Sequence, residues 1–312
     1  FYAVMIRKYR GLNPSGFPFF YGYLITLVGT VGVLFSMPGQ TIGVSVFTNP
    51  VSTSLGLSVN QFSGAYMVGT FLSSLLISAA GRWFDRWGAR LVSAFASLVL
   101  AISLFIASVA DSISSSLQST LSLDHWFIPF LIMVKIFFLF RFSGQGVLTM
   151  ASRNMVMKWF KRYRGRINAF SALSISFGFS MAPILTDRLI NDHNWNGAWR
   201  IMGLSLLLMT ILIIVFYRDS PEEHGLKPDG KLKAGRIPTI EGKEIPDLQP
   251  KQAFGTRAYW MYSFILSFNS FFATGFTFHV ITIFTTSGYE RSDAIVIFIP
   301  ITFVSCLLYT SD

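Results

Sequence analysis

Apolar runs of about twenty residues, nearly free of charge, alternate along this chain with short polar segments that hold most of its ionic groups. A run of ~20 apolar residues is what a helix needs to cross a bilayer. Seven such runs are present, over 21–47, 61–80, 91–110, 127–150, 167–189, 199–217 and 258–286, and an eighth begins at 294. The pattern predicts an all-α polytopic membrane protein. Pro38-Gly39 should bend the first run near its middle, because proline removes a backbone donor and crowds the preceding turn.

Composition agrees. Of 312 residues, 52% are hydrophobic and 13% charged, where a soluble domain carries about 25%. A net charge of +10 would suit a nucleic-acid partner, but the placement of the 25 Lys and Arg excludes that reading. Three lie before the first run, three between the second and third, six between the fourth and fifth, and eight from Arg218 to Arg257. These segments alternate along the chain, whereas the other set of loops holds only Arg188, Arg200 and Arg291. Cytoplasmic loops carry the Lys/Arg excess. The expected placement is therefore integral to the cytoplasmic membrane, with the N-terminus inside and membrane lipids as surroundings.

Residues 218–257 are rich in Pro, Gly and mixed charge, which reads as a solvated linker. The expected organisation is a cytoplasmic segment (1–20), a six-helix bundle (21–217), the linker (218–257) and the start of a second bundle (258–305). The chain begins at Phe1 and stops within an apolar run; both ends are expected to be cut. The final "CLLYTSD" (306–312) resembles a translated transposon end used to prepare sequencing libraries, so these residues, with the single Cys306, are expected to be an artefact. Short echoes suggest an inverted repeat within the first bundle. "PGQTIG" (38–43) pairs with "SGQGVL" (143–148), and Asp85-Arg86 with Gly88-Ala89-Arg90 pairs with Asp187-Arg188 and Gly197-Ala198-Trp199-Arg200.

The loop "GRWFDRWGAR" (81–90) concentrates Arg82, Asp85, Arg86 and Arg90 beside Gly81 and Gly88. Gly81, Asp85, Arg86, Gly88 and Arg90, placed between the second and third spans, resemble the signature loop of the major facilitator superfamily. Ala89 stands where that family often has a basic residue. Both glycines suit tight turns, and Asp85 can accept from helix N-terminal N–H groups. The resemblance implies a latch between two bundles, released during alternating access. "RFSGQG" (141–146), "WFKRYRGRINAF" (159–170) and "RDSPEEHGLKPDG" (218–230) are similar to stretches of the oxalate/formate and monocarboxylate transporter branches. In the fifth span, Gly178-x-x-x-Ala182-Pro183 resembles a family Gly/Pro motif and reads as a packing and bending element. Gly39 and Gly43 read as a small-xxx-small packing contact.

Two cations, Lys135 and Arg141, lie within the fourth apolar run. Each costs about 2.5–3.5 kcal/mol at mid-membrane, a cost usually accepted where the group faces a cavity or partner. Arg141, Gln145, Thr149 and Ser152 fall at helical spacing on one polar face. Gln40 and Thr41, beside the Pro38 bend, join them as candidate cavity-lining residues, as do Asn269 and His279 in the seventh span. No acid lies well inside any of the first seven runs, so cations stand there without carboxylate partners. A small organic anion supplies the missing charge, with protons or a counter-anion as coupling partner. The expected function is a secondary transporter of mono- or dicarboxylates. The alternatives are a drug or metabolite exporter of the same fold and a non-transporting sensor. No protease, esterase, P-loop or metal-ligand motif is present in the sequence, so neither enzyme activity, cofactor nor metal is expected.

Overall fold

The computed structural model describes residues 14–121, 126–230 and 250–300. Among these every regular element is helical. The first apolar run splits. Helix α1 (Gly22–Leu34) ends before a 3-10 turn at Met37–Gly39, and α2 (Thr41–Ser45) and α3 (Thr48–Ser54) complete the crossing. Pro38 is the physical cause, and Gln40 turns fully extended behind it (ψ 153°), so the predicted bend is a break.

Helix α4 (Val59–Ala107) has 49 residues and α8 (Arg164–Phe216) has 53. Each is far longer than one crossing requires, and each reverses at one residue of non-helical backbone. In α4 that residue is Gly88 (φ 80°, ψ 170°); in α8 it is Asn194 (φ 58°, ψ 171°). Helical backbone runs through the charged stretch as far as the Gly88 break. Gly81 therefore sits inside a helix, with open space where a Cβ would be; Gly88 alone makes the turn. In the partner loop the break falls at Asn194 rather than at Gly197, yet the two reversals share almost the same dihedrals.

Helix α5 (Ala110–Leu121) follows the third span. The fourth crossing comprises α6 (Phe127–Phe140), a π-helical segment (Arg141–Leu148) and α7 (Thr149–Trp159). After α8 come a short α9 (Pro250–Phe254), α10 (Arg257–Thr286) and α11 (Arg291–Val296). Four helical stretches among the described residues are long and apolar enough to cross a membrane, namely 59–107, 127–159, 164–216 and 257–286. With the two reversals and the broken first run, seven crossings result.

Small residues set the packing. Gly69 of the second span lies where a side chain would strike Val134, Phe137 and Phe138 of the fourth. Ser97 and Thr210 hydrogen-bond at 3.0 Å between the third and sixth spans, both buried. Gly178 makes room for Leu34, and Pro183 is carried inside α8 without a break. Gly43 does not share a face with Gly39. A Cβ on Gly43 would meet Met37 of its own segment, whereas Gly39 faces Phe140 and Gly144. The two echoing stretches, 38–43 and 143–148, are thus the ones that touch.

The predicted solvated linker is docked over its first part. Asp219 accepts from the Arg90 N–H (3.0 Å). Asp229 accepts from the N–H groups of Lys161, Arg162 and Tyr163 (3.1, 2.8 and 3.2 Å). Trp159 Nε1 donates to the Arg218 carbonyl (3.0 Å). Two aspartates thereby satisfy orphan N–H groups at the starts of the third and fifth spans. The segment 231–249 and the heptapeptide 306–312 lie outside the described residues, as do Phe1 to Asn13.

Candidate functional site

The Pro38 break frees backbone oxygens inside the bundle, and the fourth span brings a cation to them. Arg141 opens the π-helical segment and is 8% exposed. Its Nη1 donates to the Gly39 carbonyl (3.3 Å) and to Thr41 Oγ1 (3.5 Å). Its guanidinium carbon stands 5.2 Å from the ring centroid of Tyr66, within range of a cation–π attraction. The Tyr66 hydroxyl and Thr41 Oγ1 are 2.9 Å apart. Tyr66 also packs on Phe137 and on Phe278, the latter from the seventh span. Four crossings therefore meet around one buried guanidinium. Among the described residues no carboxylate comes within 4 Å of it.

A neutral network adjoins it. Gln40 Nε2 donates to Ser36 Oγ (3.0 Å) and to Thr149 Oγ1 (3.2 Å), and Thr149 Oγ1 donates to Ser36 Oγ (2.9 Å). One helical turn further, Ser152 Oγ and the buried Tyr217 hydroxyl lie 2.8 Å apart. Arg141, Thr149 and Ser152 thus all engage polar partners outside the fourth span.

Gln145 does not join them. It is exposed and forms no hydrogen bond among the described residues. Lys135 is exposed and lies about 120° around the helix from Arg141, six residues at 100° each; the two cations do not converge. Asn269 is exposed, and His279 is half-buried beside Phe278. Tyr66 carries no signal in the sequence: it is one tyrosine in an apolar run, 75 residues from Arg141.

The two ends of the bundle differ. At the end away from the Arg/Lys-rich loops, Arg291 Nε pairs with Asp187 (2.8 Å), and its Nη2 donates to the Val46 carbonyl (2.9 Å). Beneath this pair Val280, Ile281, Ala294, Ile295 and Phe298 form a buried cluster against Ile42 and Ile184. Here the seventh and eighth spans close onto the first and fifth. Toward the Arg/Lys-rich end, α10 is largely exposed from Arg257 to Phe272. Asp85 and Arg86 are exposed as well. Among the described residues no cluster of His, Cys, Asp or Glu is suited to a metal.

The sequence pattern that describes the Major Facilitator Superfamily matches residues 18–310. The chain belongs to the major facilitator superfamily. Members of this superfamily are membrane transporters rather than enzymes, which agrees with a helical chain built around a buried cation. The chain is also similar to the uncharacterized MFS-type transporter YhjX of Escherichia coli strain K12. The two are 24% identical over 240 residues, covering 76% of this chain and 52% of that protein. The chain thus spans about half the length of the curated relative it matches. In this superfamily chain, loop 81–90 has its reversal at Gly88 because Asp219 occupies the space a Cβ would need.

Proposed function

We propose that this chain is the anion-binding half of a secondary transporter for small mono- or dicarboxylates, working by alternating access in the cytoplasmic membrane with its N-terminus inside. The observation that carries the reading is Arg141. It is a buried guanidinium at a four-span junction, held among the described residues by a carbonyl, a hydroxyl and an aromatic face. A permanent cation in such a place costs several kcal/mol unless a partner compensates it. A carboxylate accepts two parallel N–H bonds from a guanidinium and restores that balance. Thr41, Tyr66 and Gln40 offer hydroxyl and amide groups beside it.

The closed end at Arg291–Asp187 and the exposed opposite half of α10 support an inward-facing state. In this reading loop 81–90 is the cytoplasmic latch, with Asp85 and Arg86 free to engage a partner helix. Protons or a counter-anion couple the transport, and His279 is the candidate proton carrier.

Equilibrium binding tests the reading. The purified chain in phosphatidylcholine nanodiscs should bind radiolabelled oxalate or acetate. Arg141→Gln should weaken binding roughly ten- to hundred-fold, the range for losing a charged hydrogen-bonded partner. Arg141→Lys should restore part of it. Saturable binding of an organic cation, with neither carboxylate bound, would replace this reading with the exporter.

A further inference from the structure

A polar cavity lies nearer the Arg/Lys-rich end than Arg141. It has a volume of about 130 Å³ and sits between the first, fourth and fifth spans, where Thr30, Ser152, Arg153, Asn168, Ser171 and Ser176 line it. Arg153 is twelve residues beyond Arg141 on the same crossing.

Of the groups lining this cavity, Arg153 and Asn168 are exposed and Ser171 is buried. Arg153 makes no hydrogen bond and no ion pair among the described residues, and the Asn168 side chain makes none either. Ser171 Oγ accepts from Thr30 Oγ1 (3.1 Å), which leaves its own proton to donate to a ligand. A guanidinium, an amide and a hydroxyl therefore line one cavity, and no carboxylate is among its lining residues. Gly29, Val33, Val156 and Ile175 form the apolar remainder of the wall. The volume corresponds to about four waters at ~30 Å³ each, which fits a carboxylate of a few heavy atoms.

We infer that this cavity is a second anion site, a way-station that holds a small carboxylate between the cytoplasm and Arg141. The carboxylate sits on Arg153, with Asn168 and Ser171 donating to its oxygens. A short alkyl part lies along Val33 and Ile175. Ser152, whose hydroxyl meets Tyr217, and Thr149, which meets Gln40, form the polar track from this site toward Arg141 along one helix. The site rests on the transporter reading only for its place in a pathway; its binding chemistry stands on its own residues.

The test uses the full chain in phosphatidylcholine nanodiscs, with radiolabelled oxalate and acetate as probes and scintillation proximity as readout. Wild type should bind about two equivalents of at least one probe. Arg153→Gln should weaken one class roughly ten- to hundred-fold and leave the other, whereas Arg141→Gln should do the reverse. Ser171→Ala, a smaller change, should weaken the same class as Arg153→Gln by several-fold and elute as monodisperse protein. A single equivalent lost in Arg141→Gln and unchanged in Arg153→Gln overturns the second site alone. Binding lost in Arg153→Gln and unchanged in Arg141→Gln overturns the central site and leaves this one standing. No binding of either probe overturns both.

Discussion

Gly39 and Gly144 meet without side chains between them. A Cβ built on Gly39 would lie 2.8 Å from the Gly144 Cα, and one built on Gly144 would lie 2.9 Å from the Gly39 Cα. This contact sets the broken first span against the π segment of the fourth, and it brings the Gly39 carbonyl to Arg141. The obstructing atoms include backbone, which cannot swing aside. Gly39→Ala and Gly144→Ala should each destabilise the bundle by about 1–3 kcal/mol, the usual cost of overpacking. Each should also weaken carboxylate binding, because the carbonyl moves away from the guanidinium. Thermal denaturation in detergent checks the first effect; wild-type midpoints for both variants would refute the contact. Gly81→Ala, in open space within a helix, serves as the control: it should hold or raise the midpoint, since alanine is favoured over glycine there by about 1 kcal/mol.

Asp219 should act as a cap rather than as a loop charge. Asp219→Ala leaves the Arg90 N–H without its acceptor and should cost about 1 kcal/mol, with Asp219→Asn costing less because asparagine also caps well. Gly88→Ala forces a side chain into positive φ and against the Asp219 carboxylate, so it should cost more than either. The double variant Gly88→Ala with Asp219→Ala should be less damaging than the sum of the singles, since one clash disappears. Strict additivity would show that the two residues do not interact.

The docked segment 218–230 should loosen in acid. Burial holds the His224 pKa below its ordinary value, the Arg218 charge adds to that, and Asp219 opposes it. A depressed imidazole favours the neutral form in the folded state, so the unfolded segment binds more protons on acidification. The stabilisation is complete above about pH 6.5, the ordinary imidazole value, and is lost as pH falls through the lower folded value. Hydrogen exchange of residues 218–230 should therefore quicken below that range. His224→Gln should flatten the profile, and an unchanged profile in that variant would remove His224 as the cause.

Arg291 and Asp187 should hold one end shut. Asp187→Ala or Arg291→Ala should raise the labelling rate of a cysteine placed at Ile42 by a membrane-impermeant maleimide. The exchange Asp187→Arg with Arg291→Asp should lower it again. The pair is partly exposed, so its contribution to stability is small while its effect on access is expected to be large. Equal labelling in all four proteins would mean that the apolar cluster alone seals this end.

Much of this protein is written locally. Hydrophobicity summed over ~20 residues locates each crossing, and the clustering of Lys and Arg between crossings marks one face of the membrane, because both depend only on near neighbours in the chain. Pro38 announces the break in the first span for the same reason. The resemblance of loop 81–90 named the superfamily, and the exclusion of metal and phosphate motifs needed no coordinates. Arg141 stood out as a cation in an apolar run.

Tertiary structure decided what those residues touch. Arg141 finds the Gly39 carbonyl across 102 residues, and Arg90 finds Asp219 across 129; no local pattern encodes such distances. Gln145 is exposed although its spacing puts it on the predicted polar face, and Lys135 points elsewhere because six residues turn a helix away from itself. Tyr66 entered because two spans cross at that height. Residues 218–230 read as solvated because polarity is a local sum, yet their aspartates dock because two helix starts lie within reach. Position along a membrane helix follows from the chain; partnership follows only from how the helices cross.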